Sequence, residues 1–88
     1  MTYRVEFTAG ARRDIGRLPE RIAWAVLEFC EGPLAQNPHR VGKPLIGDLT
    51  GLHSARRGEY RIIYAIYDDT VVVEVTYVRH RADAYRLS

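Results

Sequence analysis

Apolar and polar residues alternate from Tyr3 to Phe7, with Tyr3, Val5 and Phe7 set against Arg4 and Glu6. A period of two places the first set on one side of a strand and the second on the other, so this stretch is predicted to be β-structure. The period then lengthens. Ala11, Ile15 and Leu18 recur at helical spacing after Thr8, whose hydroxyl suits an N-cap. Pro19 ends this helix and can open the next, because the first turn of a helix has no use for its missing N–H. Ile22, Val26, Phe29 and Cys30, widened by Ala23 and Leu27, make the apolar stripe of a second helix. Gly32-Pro33 ends or kinks it, Leu34 keeps its period, and Pro38 stops it.

Residues 38–51 carry Gly42, Pro44, Gly47 and Gly51 and read as a long loop with room for one helical turn. Three strands follow, Leu52–Arg56, Glu59–Tyr67 and Val71–Val78, with turn signals at Gly58 and Asp68-Asp69 and a short basic tail from Arg79 to Ser88. The order is β-α-α-β-β-β with a short tail. This predicts an α+β domain over residues 1–88, a mainly antiparallel sheet with two helices packed on one face. A two-residue turn at Arg57-Gly58 would set Arg56 opposite Glu59, Ser54 opposite Arg61 and Leu52 opposite Ile63. Tyr60, Ile62, Tyr64 and Ile66 then meet the helices, and Arg61 points the other way with Ser54, Arg56 and Glu59. An arginine inside so apolar a strand has two readings: a phosphate-binding guanidinium on an open sheet face, or a surface arginine paired with Glu59 or another carboxylate.

Composition narrows the class. The chain has 88 residues, 47% apolar and 27% charged, which suits one ordinary globular domain. No run of about twenty apolar residues is present, so no membrane-spanning helix is expected. Residues 1–7 lack a secretory pattern, and a single cysteine, Cys30, cannot form an internal disulfide. A cytoplasmic location is expected. The net charge is only +2, yet the stretch from Arg40 to Arg61 carries Arg40, Lys43, Arg56, Arg57 and Arg61 against only Asp48 and Glu59, and the tail adds Arg79, Arg81 and Arg86 against Asp83. That bias fits a polyanionic partner or a solvated basic face equally well. His39, His53 and His80 lack metal-ligand spacing, so no metal or other cofactor is expected. Ser54 and His53 are neighbours on a strand and point apart, which argues against a hydrolase pair. Cys30 lies on the helix stripe as a core residue, and Trp24, off that stripe, is an exposed aromatic or part of an interface.

Gly42-Lys43-Pro44-Leu45, the stretch from Gly51 to Tyr64 containing Arg56-Arg57-Gly58-Glu59-Tyr60-Arg61-Ile62-Ile63-Tyr64, and His80-Arg81-Ala82-Asp83-Ala84-Tyr85-Arg86 resemble the RelE/ParE toxin superfamily, the last stretch its RelE-like branch. The resemblance spans the whole chain. It implies a toxin of a type II toxin–antitoxin system: a ribosome-dependent endoribonuclease that cuts messenger RNA in the ribosomal A site by attack of a ribose 2′-OH on the adjacent phosphate, without a metal. It implies Arg61, Arg81 and Tyr85 as catalytic residues, with Lys43, Arg56 and Arg57 as RNA-binding residues nearby. Leu52 and Ser54 stand where some relatives carry lysines, and Pro44-Leu45-Ile46 offers no glutamate base, which leaves the general base open. His80 could serve as base or acid, because imidazole titrates near ~6.5. Tyr85 could act as an acid or stack on a splayed base. The implied partners are the ribosome, its messenger RNA and a small, acidic, partly disordered RelB-like antitoxin, through which the pair could bind operator DNA. Two alternatives share the fold: a ParE-like toxin that poisons DNA gyrase without cutting RNA, and an idle partner in an antitoxin repressor complex.

Overall fold

The computed structural model describes residues 2–83. Five strands form one sheet in the order β1-β5-β4-β3-β2. They are β1 (Arg4–Phe7), β2 (Gly42–Pro44), β3 (His53–Arg57), β4 (Tyr60–Tyr67) and β5 (Val72–His80). All neighbours are antiparallel except β1 and β5, which run parallel. Helices α1 (Ala9–Gly16) and α2 (Glu20–Phe29) follow β1, and a short α3 (Pro38–Val41) precedes β2. The mixed α+β architecture is the one the alternation predicted. No helix among the described residues is long and apolar enough to cross a membrane.

The helices bury one face of the sheet. Ala11, Val26, Cys30 and Leu34 from the helical layer meet Ala55, Ile62, Tyr64, Val73, Val75 and Val78 from the strands, with Val5, Phe7 and Ile15 packed around them. Thr8 caps α1 as its position foretold: its Oγ1 accepts from Ala11 N at 3.1 Å. Gly32-Pro33 neither ends the second helix nor sharply stops it; Cys30–Leu34 widens into one π-helical turn before the helix resumes. A proline lacks the N–H that an α-helical ladder needs, and a wider turn absorbs that gap.

Three expectations are corrected. The loop over residues 38–51 contains a helical turn and also a strand, β2, in which Gly42, Lys43 and Pro44 pair with Ala55, Ser54 and His53. Gly42 is needed there because a side chain would strike the Tyr64 hydroxyl and come within 2.7 Å of Ser54 O. The β3–β4 turn is Gly58-Glu59 rather than Arg57-Gly58, with Gly58 at φ +62, so Arg56 stands opposite Arg61 and Ser54 opposite Ile63. Glycine at the first central position matches the twist of a two-residue hairpin. The slip moves every partner by two residues and so preserves the faces. The last strand also runs on to His80, which takes Arg79 and His80 out of the expected tail and into the sheet.

Candidate functional site

The sheet face opposite the helices carries a row of arginines. Arg56 on β3 faces Arg61 on β4, and Arg61 faces Arg79 on β5. Paired residues share a face, and neighbouring strands lie about 4.8 Å apart. Three guanidinium stems therefore rise side by side, with Lys43 joining them through its pairing with Ser54. Like charges directly opposite one another destabilise a sheet, so the row costs stability that a bound anion would offset.

Arg40, Lys43, Ser54, Arg56 and Arg61 line a cleft of about 360 Å³ at this face. Ser54 Oγ and Arg61 Nε are buried in it without a hydrogen-bond partner. Orphaned buried polar atoms are rare and cost about 1–3 kcal/mol each. A donor and a hydroxyl left unsatisfied beside clustered positive charge fit a phosphodiester with an adjacent ribose.

The alternative pairing of Arg61 with Glu59 does not occur. Glu59 sits in the turn and holds Arg81 instead, Oε2 to Nε at 3.1 Å, while Arg81 N donates to Glu59 O at 2.7 Å. Arg81 is thus anchored at the exposed end of the hairpin. Arg57 and His80 lie on the other face, one position along from Arg56 and Arg79. Arg57 lines an apolar hollow against Ile22, Ala25 and Val26 of α2. His80 packs edge-on against Tyr60 at 5.4 Å, and its Nδ1 accepts from Ala82 N at 3.2 Å. The structure therefore brings together Arg61, Arg56 and Lys43 and sets Arg57 and His80 apart from them. Tyr85 lies outside the described residues. Arg79 joins the face and Arg40 lines the cleft, although from the sequence both counted only in the basic bias and not among the site residues. A bulge that leaves Thr76 unpaired shifts the parity of β5, so plain alternation from Val73 and Val75 would have sent Arg79 toward the helices instead.

A second cluster braces the cleft from behind. Tyr64 Oη donates to Pro38 O at 2.6 Å and ties β4 to α3. The ring of His53 stacks on Tyr64 at 5.6 Å, and His39 stands edge-on to His53 at 6.1 Å. His39 Nε2 lies 2.9 Å from Asp68 Oδ1, which also accepts from Tyr3 Oη at 2.6 Å. Burial lowers the His53 pKa, helped by the charge of His39. The Tyr3 hydrogen bond, then that of His39, holds the Asp68 carboxyl below its ordinary range. Among the described residues no group of three or more His, Cys, Asp or Glu side chains could hold a metal.

The fold is that of a toxin from a toxin–antitoxin pair, and residues 5–85 match the family of ParE toxins of type II toxin–antitoxin systems, parDE. The chain belongs to that family, within the RelE/ParE superfamily. Among its relatives it is 56% identical to Toxin RelE of Mycobacterium tuberculosis H37Rv, over 98% of this chain and 89% of the relative. It is 54% identical to Toxin RelG of the same organism, over 98% and 99%. The crystal structure of the toxin–antitoxin complex RelBE2 from M. tuberculosis superposes with a TM-score of 0.90 at 52% identity, covering 94% of this chain and 95% of that one. An archaeal RelE–RelB complex from Pyrococcus horikoshii OT3 gives 0.67 at 29% identity, over 96% and 100%.

Proposed function

We propose that this toxin is a ribosome-dependent endoribonuclease whose arginine face receives messenger RNA in the ribosomal A site. The observation that carries the reading is Arg61: a guanidinium with a buried, unpartnered Nε, flanked by arginines, on the helix-free face of the sheet. Cleavage by 2′-OH attack passes through a phosphorane-like centre of concentrated negative charge. Guanidinium donors aimed at its oxygens stabilise it, each worth about a hundredfold to a thousandfold in rate. Arg61 takes that role, and Arg56 and Lys43 hold the strand through its phosphates. Arg81 and Tyr85 complete the catalytic set. The ring of His80 faces away from Arg61, so proton transfer falls to the 81–88 segment or to the ribosome.

The solved complexes of RelE with RelB support a RelB-like antitoxin as the partner that silences this chain. An acidic segment folding on the protein would match the basic face, and its affinity would fall as salt rises. The reading is tested by adding the purified toxin to ribosomes programmed with a defined message and mapping new RNA ends. New ends within the A-site codon, absent with Arg61→Ala, support it. Intact message alongside gyrase-dependent DNA breaks would assign the protein to the gyrase-poisoning branch instead.

A further inference from the structure

We propose that Arg79, held in place by Asp14, is a second RNA-binding guanidinium that grips the phosphate next to the cleaved linkage. This inference rests on the endoribonuclease reading above.

β1 pairs with β5 only as far as Phe7 opposite Val75. Beyond that point α1 takes over the edge: Thr8 N donates to Val75 O at 3.0 Å, and the buried Asp14 carboxylate accepts from Val78 N at 3.0 Å. Asp14 thus serves β5 first as a backbone acceptor. The same Oδ2 lies 3.5 Å from Arg79 Nε. That approach to the inner nitrogen of the guanidinium lacks hydrogen-bond geometry. A purely structural arginine–carboxylate pair would favour the two-pronged fork, with two parallel N–H···O bonds. Here the Asp14 contact is a 3.5 Å approach without a hydrogen bond to Nε, and the guanidinium carbon lies 5.1 Å from the centre of the Tyr77 ring. The side chain retains 30% of its surface. A guanidinium held beside a buried carboxylate and against an aromatic ring has already lost much of the rotamer freedom that binding would cost.

Arg79 stands directly across from Arg61. If Arg61 meets the reacting phosphate, a cation one strand away meets the neighbouring phosphate, which carries the same charge before and during reaction. Such a contact binds ground state and transition state alike, so it lowers KM and leaves kcat alone. Asp14 is then a positioning residue acting through Arg79.

The experiment measures kcat and KM for cleavage on programmed ribosomes, with thermal unfolding in parallel. The variants are Arg79→Met, Arg79→Lys and Asp14→Asn, with Arg61→Ala as reference. Arg79→Met is expected to raise KM about tenfold with kcat within about twofold. Arg79→Lys should recover part of that loss. Asp14→Asn, which keeps an acceptor for Val78, should raise KM by a smaller factor and leave kcat unchanged. A methylphosphonate in place of the phosphate beside the cut should raise KM for wild type and add nothing in Arg79→Met. Where Arg79→Met melts early, Arg79→Lys decides, because it keeps the stem and the charge. An unchanged KM in Arg79→Met, or KM effects of variant and methylphosphonate that multiply, would overturn the inference while an inactive Arg61→Ala keeps the endoribonuclease reading standing. No cleavage by wild type would instead remove that reading and this inference with it.

Discussion

Glu59 binds Arg81 through both backbone and side chain, and so the carboxylate nearest to Arg61 in sequence is directed away from it. The turn at Gly58-Glu59 lifts Glu59 out of the pairing, and Arg61 is left facing Arg56 and Arg79. This separation of neighbours makes the role of Arg61 testable apart from stability.

Arg61→Ala is expected to abolish cleavage without destabilising the fold, and to stabilise it by up to about 1–3 kcal/mol, because it opens no core cavity, removes the orphaned Nε and relieves like-charge repulsion. Arg61→Lys should restore only part of the rate, since an ammonium lacks the planar fork. Cleavage on programmed ribosomes beside denaturant unfolding checks this; activity that follows stability across the variants would contradict it.

Glu59→Gln should not mimic Arg61→Ala. It releases Arg81 from an ion pair whose side chains are 60% and 63% exposed, so the change in stability is expected to stay within about 0.5 kcal/mol. Any effect on cleavage should equal the effect of freeing Arg81, and the double variant Glu59→Gln/Arg81→Ala should match Arg81→Ala alone. A double-mutant cycle on cleavage rate measures this coupling.

Gly42→Ala is expected to be among the more damaging single changes, at about 1–3 kcal/mol, because the new methyl meets the Tyr64 hydroxyl and the Ser54 carbonyl. Tyr64→Phe removes the bond to Pro38 O and should cost about 1 kcal/mol. In Gly42→Ala/Tyr64→Phe the second change relieves part of the clash, so the two costs should sum to more than the double variant loses. Chemical denaturation of the three proteins gives the answer.

Acid should weaken the brace behind the cleft. His53 has a lowered pKa in the fold, chiefly from burial, so the unfolded chain takes up its proton first. Stability from this group is complete above its ordinary 6.5 and is lost as pH falls from there to the lowered value. Asp68 acts in the same direction further down, losing its contribution as pH falls below 3.8 and through its depressed value. Melting temperature should therefore decline from about pH 6.5 toward pH 5 in wild type and much less in His53→Phe, which keeps the ring stacked on Tyr64. Equal slopes for the two proteins would remove His53 from the account.

Cys30 should resist thiol reagents in the folded protein. It is fully buried, and burial, with Glu31 adding to it, pushes its thiol up to about 12. Because the thiolate is the reacting form, modification is expected only on unfolding. Labelling across a denaturant series should follow the unfolding curve.

The alternation of apolar and polar residues determined a great deal by itself. A face buried against helices demands a period of two, and a helix on a sheet demands a stripe near four. Tyr3 to Phe7, Ile22 to Cys30 and Tyr60 to Ile66 each announce their element and its inward side. The facing of Arg61 was legible for the same reason, and it survived a wrong turn assignment because a slip of two residues returns every side chain to its face. Tertiary structure alone decided what stands beside Arg61. Register depends on which residue tolerates the positive φ of the turn, and only folding reveals that Gly58 leads it while Glu59 turns to Arg81. The small strand β2 was hidden because its three residues form no pattern of their own and pair only once β3 is present. Arg79 was hidden by distance: Asp14 reaches it from 65 positions away in the chain, because α1 replaces β1 along the open edge of β5. Such contacts between remote residues leave no local periodicity, and they complete the arginine face.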